Sequence, residues 1–399
     1  MDEQDCIFQF GAIEKTYMDS GIKIHVVVVG AGILGASIAY CLSRRDNINV
    51  TVLERSKPGS GASGHSFAWL NSFGKDPVDY HNLNCRSMDM WHRFADGLEQ
   101  DIGFHCGGQL RWENTDEGAR ALRQRVKQLQ GRGYACRLIS AAEMRQLEPG
   151  LLPGTVKAAS LSQADGCVEP PKVIEACLEK TRERGGVVLT QAPVIGMSVE
   201  NGSNTSRQIT VVRTQSDEVD CDIVVLAGGV HTTQLAAMAG VHIPQQESPG
   251  VVVRTTPCQP VLKNVSVIHA PMIDVSRQDV HLRQASDGTL LIGQGSQESL
   301  NRDDSQRHAD ELLARAQHYL PSIDEASAIP EPVGYRPMPI DGFPVLGFVP
   351  SVPNLYIALM HSGVTLAPLV GELATLEIVD GVRVEMLNPY RPERFGQIA

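Results

Sequence analysis

At 399 residues the chain is long for one hydrophobic core, so two domains are expected. Hydrophobic residues are 42% and charged residues 20%, the balance of an ordinary globular enzyme and not of a disordered or fibrous chain. The net charge is −11 with no basic block, which argues against a nucleic-acid partner.

Residues 1–22 contain Ile7, Phe8 and Phe10 and carry no functional reading; the start, Met1-Asp2-Glu3-Gln4-Asp5, has no basic-then-apolar signal. Ile24–Val29 is a β-branched run broken only by His25, as suits a strand buried on both faces. Gly30-Ala31-Gly32-Ile33-Leu34-Gly35 follows at once in G-x-G-x-x-G spacing. Gly30 makes the turn, Gly32 lets backbone approach a pyrophosphate, and Gly35 lets the next helix pack on the strand. That helix buries Ile33, Leu34, Ala36, Ile38, Ala39 and Leu42, and its N-terminus offers N–H groups to the anion. Val50–Leu53 is the next parallel strand. Glu54, nineteen residues past Gly35, stands where an acid accepts hydrogen bonds from ribose hydroxyls and repels a 2′-phosphate.

Pro58–Trp69 is a loop of small residues, and its place directly after the acid favours a cofactor loop over a plain flexible one. Asp79–Gln100 reads as a helix with Leu83, Met88, Trp91, Phe94 and Leu98 in the core. Gly107–Trp112 is a strand candidate. Asp116–Arg132 is an amphipathic helix whose arginines are most simply a solvated face. Ser140 opens a capped helix, with Glu143 three residues on. Pro170-Pro171 starts another that Gly185-Gly186 ends. Val187–Leu189, Ile209–Thr214 and Asp222–Ala227 read as strands, the last running into Gly228-Gly229. From Gly250 to Gly295 the pattern becomes strands and tight turns: Val251–Val253, Val265–His269, Val280–Arg283 and Thr289–Ile292. That predicts an antiparallel sheet in a second domain. Asp303–Tyr319 is a helix, Pro321–Pro353 is irregular, Leu355–Leu359 is a buried strand, and His361-Ser362-Gly363-Val364 turns into a last helix.

The nine cysteines show no C-x-x-C pair, which fits neither a disulfide framework nor a zinc site and suits a reducing compartment. No uncharged apolar run reaches the length of a membrane span, and Gln397-Ile398-Ala399 is not a peroxisomal address. A cytoplasmic protein without a metal is the expectation.

Six stretches occur together: Gly30–Gly35 with Glu54-Arg55; Gly61–Ala68; Asp165-Gly166 before Val168-Glu169-Pro170; Val225–Gly229; Gly334–Gly347; and Met360–Pro368. With these the chain resembles the FAD-dependent D-amino-acid oxidase family, and looks most like its glycine-oxidase-like and sarcosine-oxidase-like members and the small subunit of D-amino-acid dehydrogenase, over about residues 24–380. The resemblance implies an α/β fold: a Rossmann-like FAD-binding domain (residues 23–105, 155–245 and 330–385) with an inserted antiparallel-sheet substrate domain (106–154 and 246–329). It implies FAD along the domain interface. Gly30, Ala31, Gly32, Ile33, Leu34, Gly35, Glu54 and Arg55 would hold the adenosine half. Gly61, Ala62, Ser63, His65, Ser66 and Phe67 would run beside the ribityl and flavin, Val194 would meet the adenine, and Gly228 and Gly229 would close the nucleotide turn. Ser362, Gly363, Val364 and Thr365 would place a helix N-terminus under the flavin pyrimidine edge, where reduction puts negative charge.

Arg336, also counted among the cofactor contacts, matches the arginine that pairs with the substrate carboxylate in glycine-oxidase-like members; a structural ion pair with Asp341 or Glu331 is the alternative. His361, His65 and His269 are candidates to tune amine protonation, or are structural. The implied reaction is hydride transfer from the α-carbon of an amino acid or N-alkyl amino acid to flavin N5, leaving an imine that hydrolyses. A 2-hydroxy-acid dehydrogenase, an FAD-binding subunit of an electron-transfer complex and, more weakly, a nicotinamide dehydrogenase are the rivals. Tyr335–Gly342 holds no cysteine, so the FAD is expected to be non-covalent. Leu290-Leu291 stands where sarcosine-oxidase-like members carry a lysine linked to oxygen reactivity, so O2 and another electron acceptor both stay open.

Overall fold

Ile24–Val29, buried at all but His25, lies near the middle of a six-stranded sheet. Across that sheet the strands run Val345–Val349, Val352–Leu359, Ile223–Leu226, Ile24–Val29, Ile48–Leu53 and Val187–Leu189. All neighbours are parallel except the first two, which form an antiparallel hairpin at the edge. The computed structural model describes residues 23–201, 207–295 and 300–396, so the expectations for residues 1–22 and for Gln397-Ile398-Ala399 lie outside it. Because side chains alternate along a strand, the two faces bury different sets. Val26, Val28, Val50 and Val52 pack on the helices Ile33–Leu42, Pro170–Glu183 and Gly363–Val379. Val27, Val29, Leu53 and Val224 pack on a three-stranded sheet of Val194–Asn201, Arg207–Thr214 and Glu218–Asp220. The α/β fold expected from the sequence is the fold observed.

The second large sheet has eight strands, ordered Ala328–Ile329, Val253–Thr255, Leu290–Gly293, Val280–Gln284, Val267–Ala270, Gln109–Glu113, Ala158–Ser162 and Cys136–Ile139. It is not wholly antiparallel: Val267–Ala270 pairs in parallel with Gln109–Glu113. Ala158–Ser162 pairs here too, although its range was read with the cofactor-binding segments. One face carries Leu110, Trp112, Ile268, Leu282 and Ile292 against the helix Gln306–Tyr319. That helix starts after Asp303, because Ser305 is its cap and accepts the His308 N–H. Pro321–Pro353 is also less irregular than its prolines suggest. Pro344 stands just before Val345–Val349, an edge strand, where a missing N–H costs no ladder bond.

On the other face, register sets Arg111 opposite His269, His269 opposite His281, and His281 opposite Gly293. A Cβ on Gly293 would lie 2.3 Å from His281 Nε2, so glycine there leaves room for the imidazole.

Candidate functional site

One cavity of about 890 Å³ runs between the two large sheets, near the top of the usual range for small-molecule clefts, about 300–1,000 Å³. At one end is the first turn of the six-stranded sheet. Gly30 has φ +105°, and a Cβ there would sit 2.5 Å from Ala227 O. A Cβ on Gly35 would sit 1.9 Å from Gly30 O, so helix and turn meet as the glycine spacing requires. The helix Ile33–Leu42 has Gly32 as its cap, with no side-chain bond to its first turn beyond Ser63 Oγ accepting the Ile33 N–H at 3.0 Å. Glu54 is buried, and its two oxygens accept the N–H groups of Ala31 (2.8 Å) and Ser56 (2.9 Å). The carboxylate thus fixes the turn on one side and fronts the cavity on the other.

The expected cofactor contacts Gly30, Gly32, Ile33, Leu34, Glu54, Arg55, Gly61, Ala62, Ser63, His65, Ser66, Phe67, Val194, Gly228, Gly229, Arg336, Ser362, Gly363, Val364 and Thr365 all line this cavity. Ala31 and Gly35 do not. Ala31 spends its N–H on Glu54, and Gly35 faces Gly30. Among the described residues no cysteine lines the cavity. The residues present fit an elongated dinucleotide: a glycine turn that a Cβ would fill, and two neighbouring helix N-termini without side-chain N-caps, a Cβ on Gly363 falling 3.4 Å from the Leu34 side chain.

The far end is cationic. The Arg336 guanidinium donates to Pro249 O at 2.6 Å and reaches Ser248 Oγ at 3.4 Å. The two acids named as its structural alternatives are held elsewhere, Asp341 by Arg394 and Glu331 by Arg254. His361 lines the cavity beside it. Burial, then the nearby charges of Lys75 and Arg336, hold its imidazole well below the usual histidine range, so it is neutral. His65 also lines the cavity, and its buried Nδ1 has no hydrogen-bond partner among the described residues. His269 lies deeper, with the Trp69 ring 4.9 Å away. The Trp69 indole N–H in turn donates to Asp165 at 3.0 Å, a carboxyl that burial pushes up to about 7.

Three of the cavity residues that escaped the sequence reading bring titratable side chains to this end. Lys75 is 8% exposed and donates to Ser362 Oγ at 2.8 Å; burial brings its ammonium down to about 8. Its segment is clamped from the helix Asp116–Gly131 and its cap. Arg125 donates to Phe73 O and pairs with Asp76, while Arg132 reaches Lys75 O and pairs with Asp76 as well. These two arginines are therefore not a solvated face. Arg111 and His281 are the other two, and only cross-strand register brings them to His269. A sequence signal existed for Arg111, a charge inside the apolar run Leu110–Trp112 of a strand.

A family model described as FAD dependent oxidoreductase matches residues 25–376 of the chain. Glycine oxidase of Geobacillus kaustophilus (strain HTA426) is 25% identical over 360 residues, covering 88% of this chain and 92% of the relative. An uncharacterized oxidoreductase of Bacillus subtilis (strain 168) is 26% identical, covering 92% and 98%. Among solved structures, L-proline dehydrogenase from P. horikoshii superposes with a TM-score of 0.79 at 25% identity, covering 94% of this chain and 98% of that one.

Proposed function

Because this chain belongs to the family of FAD-dependent oxidoreductases, with FAD as its cofactor, we propose that it oxidises the C–N bond of an amino acid or N-alkyl amino acid. The observation that carries the reading is Arg336, a half-buried guanidinium in the wall of the same cavity as the glycine turn and the last helix. Similarity to glycine oxidase and to L-proline dehydrogenase supports an amino acid, with a primary or a secondary amine.

Bound FAD supplies the hydride acceptor, and water hydrolyses the imine released. The chain's own residues bind and orient. Arg336 takes the carboxylate through two parallel hydrogen bonds, and its bond to Pro249 O fixes the plane of the guanidinium. One anchored carboxylate leaves the α-carbon a small arc to sweep, which is how positioning lowers the barrier. The amine must be neutral to release hydride. Arg336 and Lys75 favour that form, because nearby positive charge disfavours an ammonium ion. His361 is an uncharged hydrogen-bonding group available to the amine, and His65 offers a ring nitrogen, Nδ1, that has no partner among the described residues. The helix Gly363–Val379 presents its N-terminus at the cavity and favours negative charge gathering there.

The test is anaerobic bleaching of the purified yellow protein by D-, L- and N-methyl amino acids and by 2-hydroxy acids, followed by re-oxidation in air. Bleaching by one amine class, lost in Arg336→Leu, is expected. Bleaching by 2-hydroxy acids alone would replace the reading with alcohol oxidation. Fast or slow re-oxidation distinguishes O2 from another electron acceptor.

A further inference from the structure

Arg111 is a half-buried arginine with a fully buried Nε, and its immediate contacts are neutral. His269 Nδ1 accepts one of its N–H groups at 2.9 Å, and its plane lies over the Phe73 ring at 5.2 Å. Glu113, Asp279 and Asp165 act on it from a distance, but Arg111 forms no ion pair with a carboxylate among the described residues. A cation in that position is costly to bury unless an anion meets it.

The neighbouring side chains repeat the shortage. Register lines up Ser160, Arg111, His269 and His281 across four adjacent strands on one face of the eight-stranded sheet. In that row Ser160 Oγ, Arg111 Nε, His269 Nε2 and His281 Nδ1 are all buried and lack hydrogen-bond partners among the described residues. The tautomer of His269 follows from its contact: Nδ1 accepts from Arg111, so Nε2 carries the hydrogen. Burial and Arg111 together keep that ring neutral. Arg111 Nε–H and His269 Nε2–H are then two donors with no acceptor among the described residues. Arg111, His269 and His281 all line the cavity that holds Arg336, and His281, stacked 4.9 Å from His269, is close enough to feel both arginines.

We propose that the substrate carries two carboxylates, the first held by Arg336 and the second by Arg111 with His269. The inference rests on the C–N oxidation proposed above and narrows it to amines with a second acidic arm. Two kinds of molecule share that chemistry: an amino acid with a side-chain carboxylate, and an N-carboxyalkyl amino acid with the amine between its acids. Arg111 acts as a specificity-determining residue, remote from the bond that breaks.

The test compares kcat/KM for anaerobic flavin reduction by alanine and sarcosine with that by aspartate, glutamate and N-carboxymethyl-alanine, in both stereochemical forms. In parallel, glutarate and butyrate, which cannot react, are titrated against the flavin absorbance of the holoprotein. A dicarboxylate preference on the order of 100-fold is expected, as is tighter binding of glutarate than butyrate. Arg111→Met should collapse both preferences, and Arg111→Lys should recover part of them while retaining the flavin. Preference for glutamate over N-carboxymethyl-alanine, or the reverse, assigns the second acid to the side chain or to nitrogen. Equal rates for mono- and dicarboxylic amines, or a preference indifferent to Arg111→Met, would overturn the proposal. If no amine of either kind reduces the flavin, C–N oxidation falls, and the glutarate titration alone decides for or against the second carboxylate site.

Discussion

Lys75 Nζ and Ser362 Oγ are 2.8 Å apart, and the same hydroxyl also takes the Tyr80 OH at 2.7 Å. Ser362 is the cap residue of the last helix, yet its side chain makes no bond to that helix. It is turned instead toward a buried ammonium that burial alone brings down to about 8. Lys75 is thus a cation below about pH 8 and neutral above it, at the cavity end expected to hold the flavin edge. The flavin absorbance of the holoprotein should shift with a midpoint near 8, and Lys75→Met should abolish the shift. The sign for stability follows from the lowered value. The unfolded lysine binds its proton up to the usual value of 10.5, so stability from this group rises with pH between about 8 and 10.5. Lys75→Met should therefore raise the melting temperature of the apoprotein near neutral pH and lose that advantage as the pH approaches 10.5. A variant equally stabilised at both ends of the window would contradict this.

Glu54 does two jobs that one substitution can separate. Its oxygens hold the Ala31 and Ser56 N–H groups, and its outer edge faces the cavity. Glu54→Gln keeps the size and one acceptor but turns a donor toward one of those N–H groups. The loss is about 1–3 kcal/mol of turn stability, the cost of a buried donor left unsatisfied. FAD titrated into the apoprotein should bind on the order of 10-fold or more weakly, and unchanged affinity would remove Glu54 from the cofactor site.

The glycine-turn end of the cavity was legible because its parts are contiguous. Gly30, Gly32 and Gly35 are fixed by one turn of chain, and Glu54 ends the very next strand. The far end was legible only at Arg336, His65, His269 and His361, which sit in recognisable stretches. Lys75 belongs to no motif, and nothing local says that Arg125 and Arg132 will draw its segment inward. Arg111 and His281 meet His269 only through strand register, and one of those pairings is parallel between strands far apart in sequence. Local pattern carries no information about such a pairing.

Two glycines offer a paired test of how much of the turn is steric. A Cβ on Gly35 would be driven to 1.9 Å from backbone Gly30 O, whereas one on Gly61 would meet nothing within 4 Å. Gly35→Ala should separate helix from turn, so the protein should purify without flavin or not fold. Gly61→Ala should leave the melting temperature of the apoprotein unchanged, and because Gly61 lines the cavity any flavin it loses reports backbone approach to the cofactor rather than a broken turn. If both variants keep flavin equally, close approach is not what the first motif requires.

Far from the cavity, Glu377 and Arg391 form a buried ion pair that locks the C-terminal turns Glu385–Tyr390 and Pro392–Phe395 onto the molecule. Arg391 reaches the Glu377 oxygens at 2.5 and 2.8 Å, while the Tyr356 OH and the Val384 N–H donate to the same carboxylate at 3.0 and 2.9 Å. Every oxygen is satisfied, so removing one partner strands a charge in a site built for two. Arg391→Met leaves that carboxylate facing a phenol and one amide, and should cost about 3–5 kcal/mol. The double variant Glu377→Leu/Arg391→Met removes both charges and should recover much of the loss, because an apolar pair of similar volume often matches a buried ion pair. Urea denaturation of the two variants measures the difference. Since the helix Gly363–Val379 runs from this pair to the cavity, flavin affinity in the double variant also tests whether the lock at one end of the helix positions its N-terminus at the other.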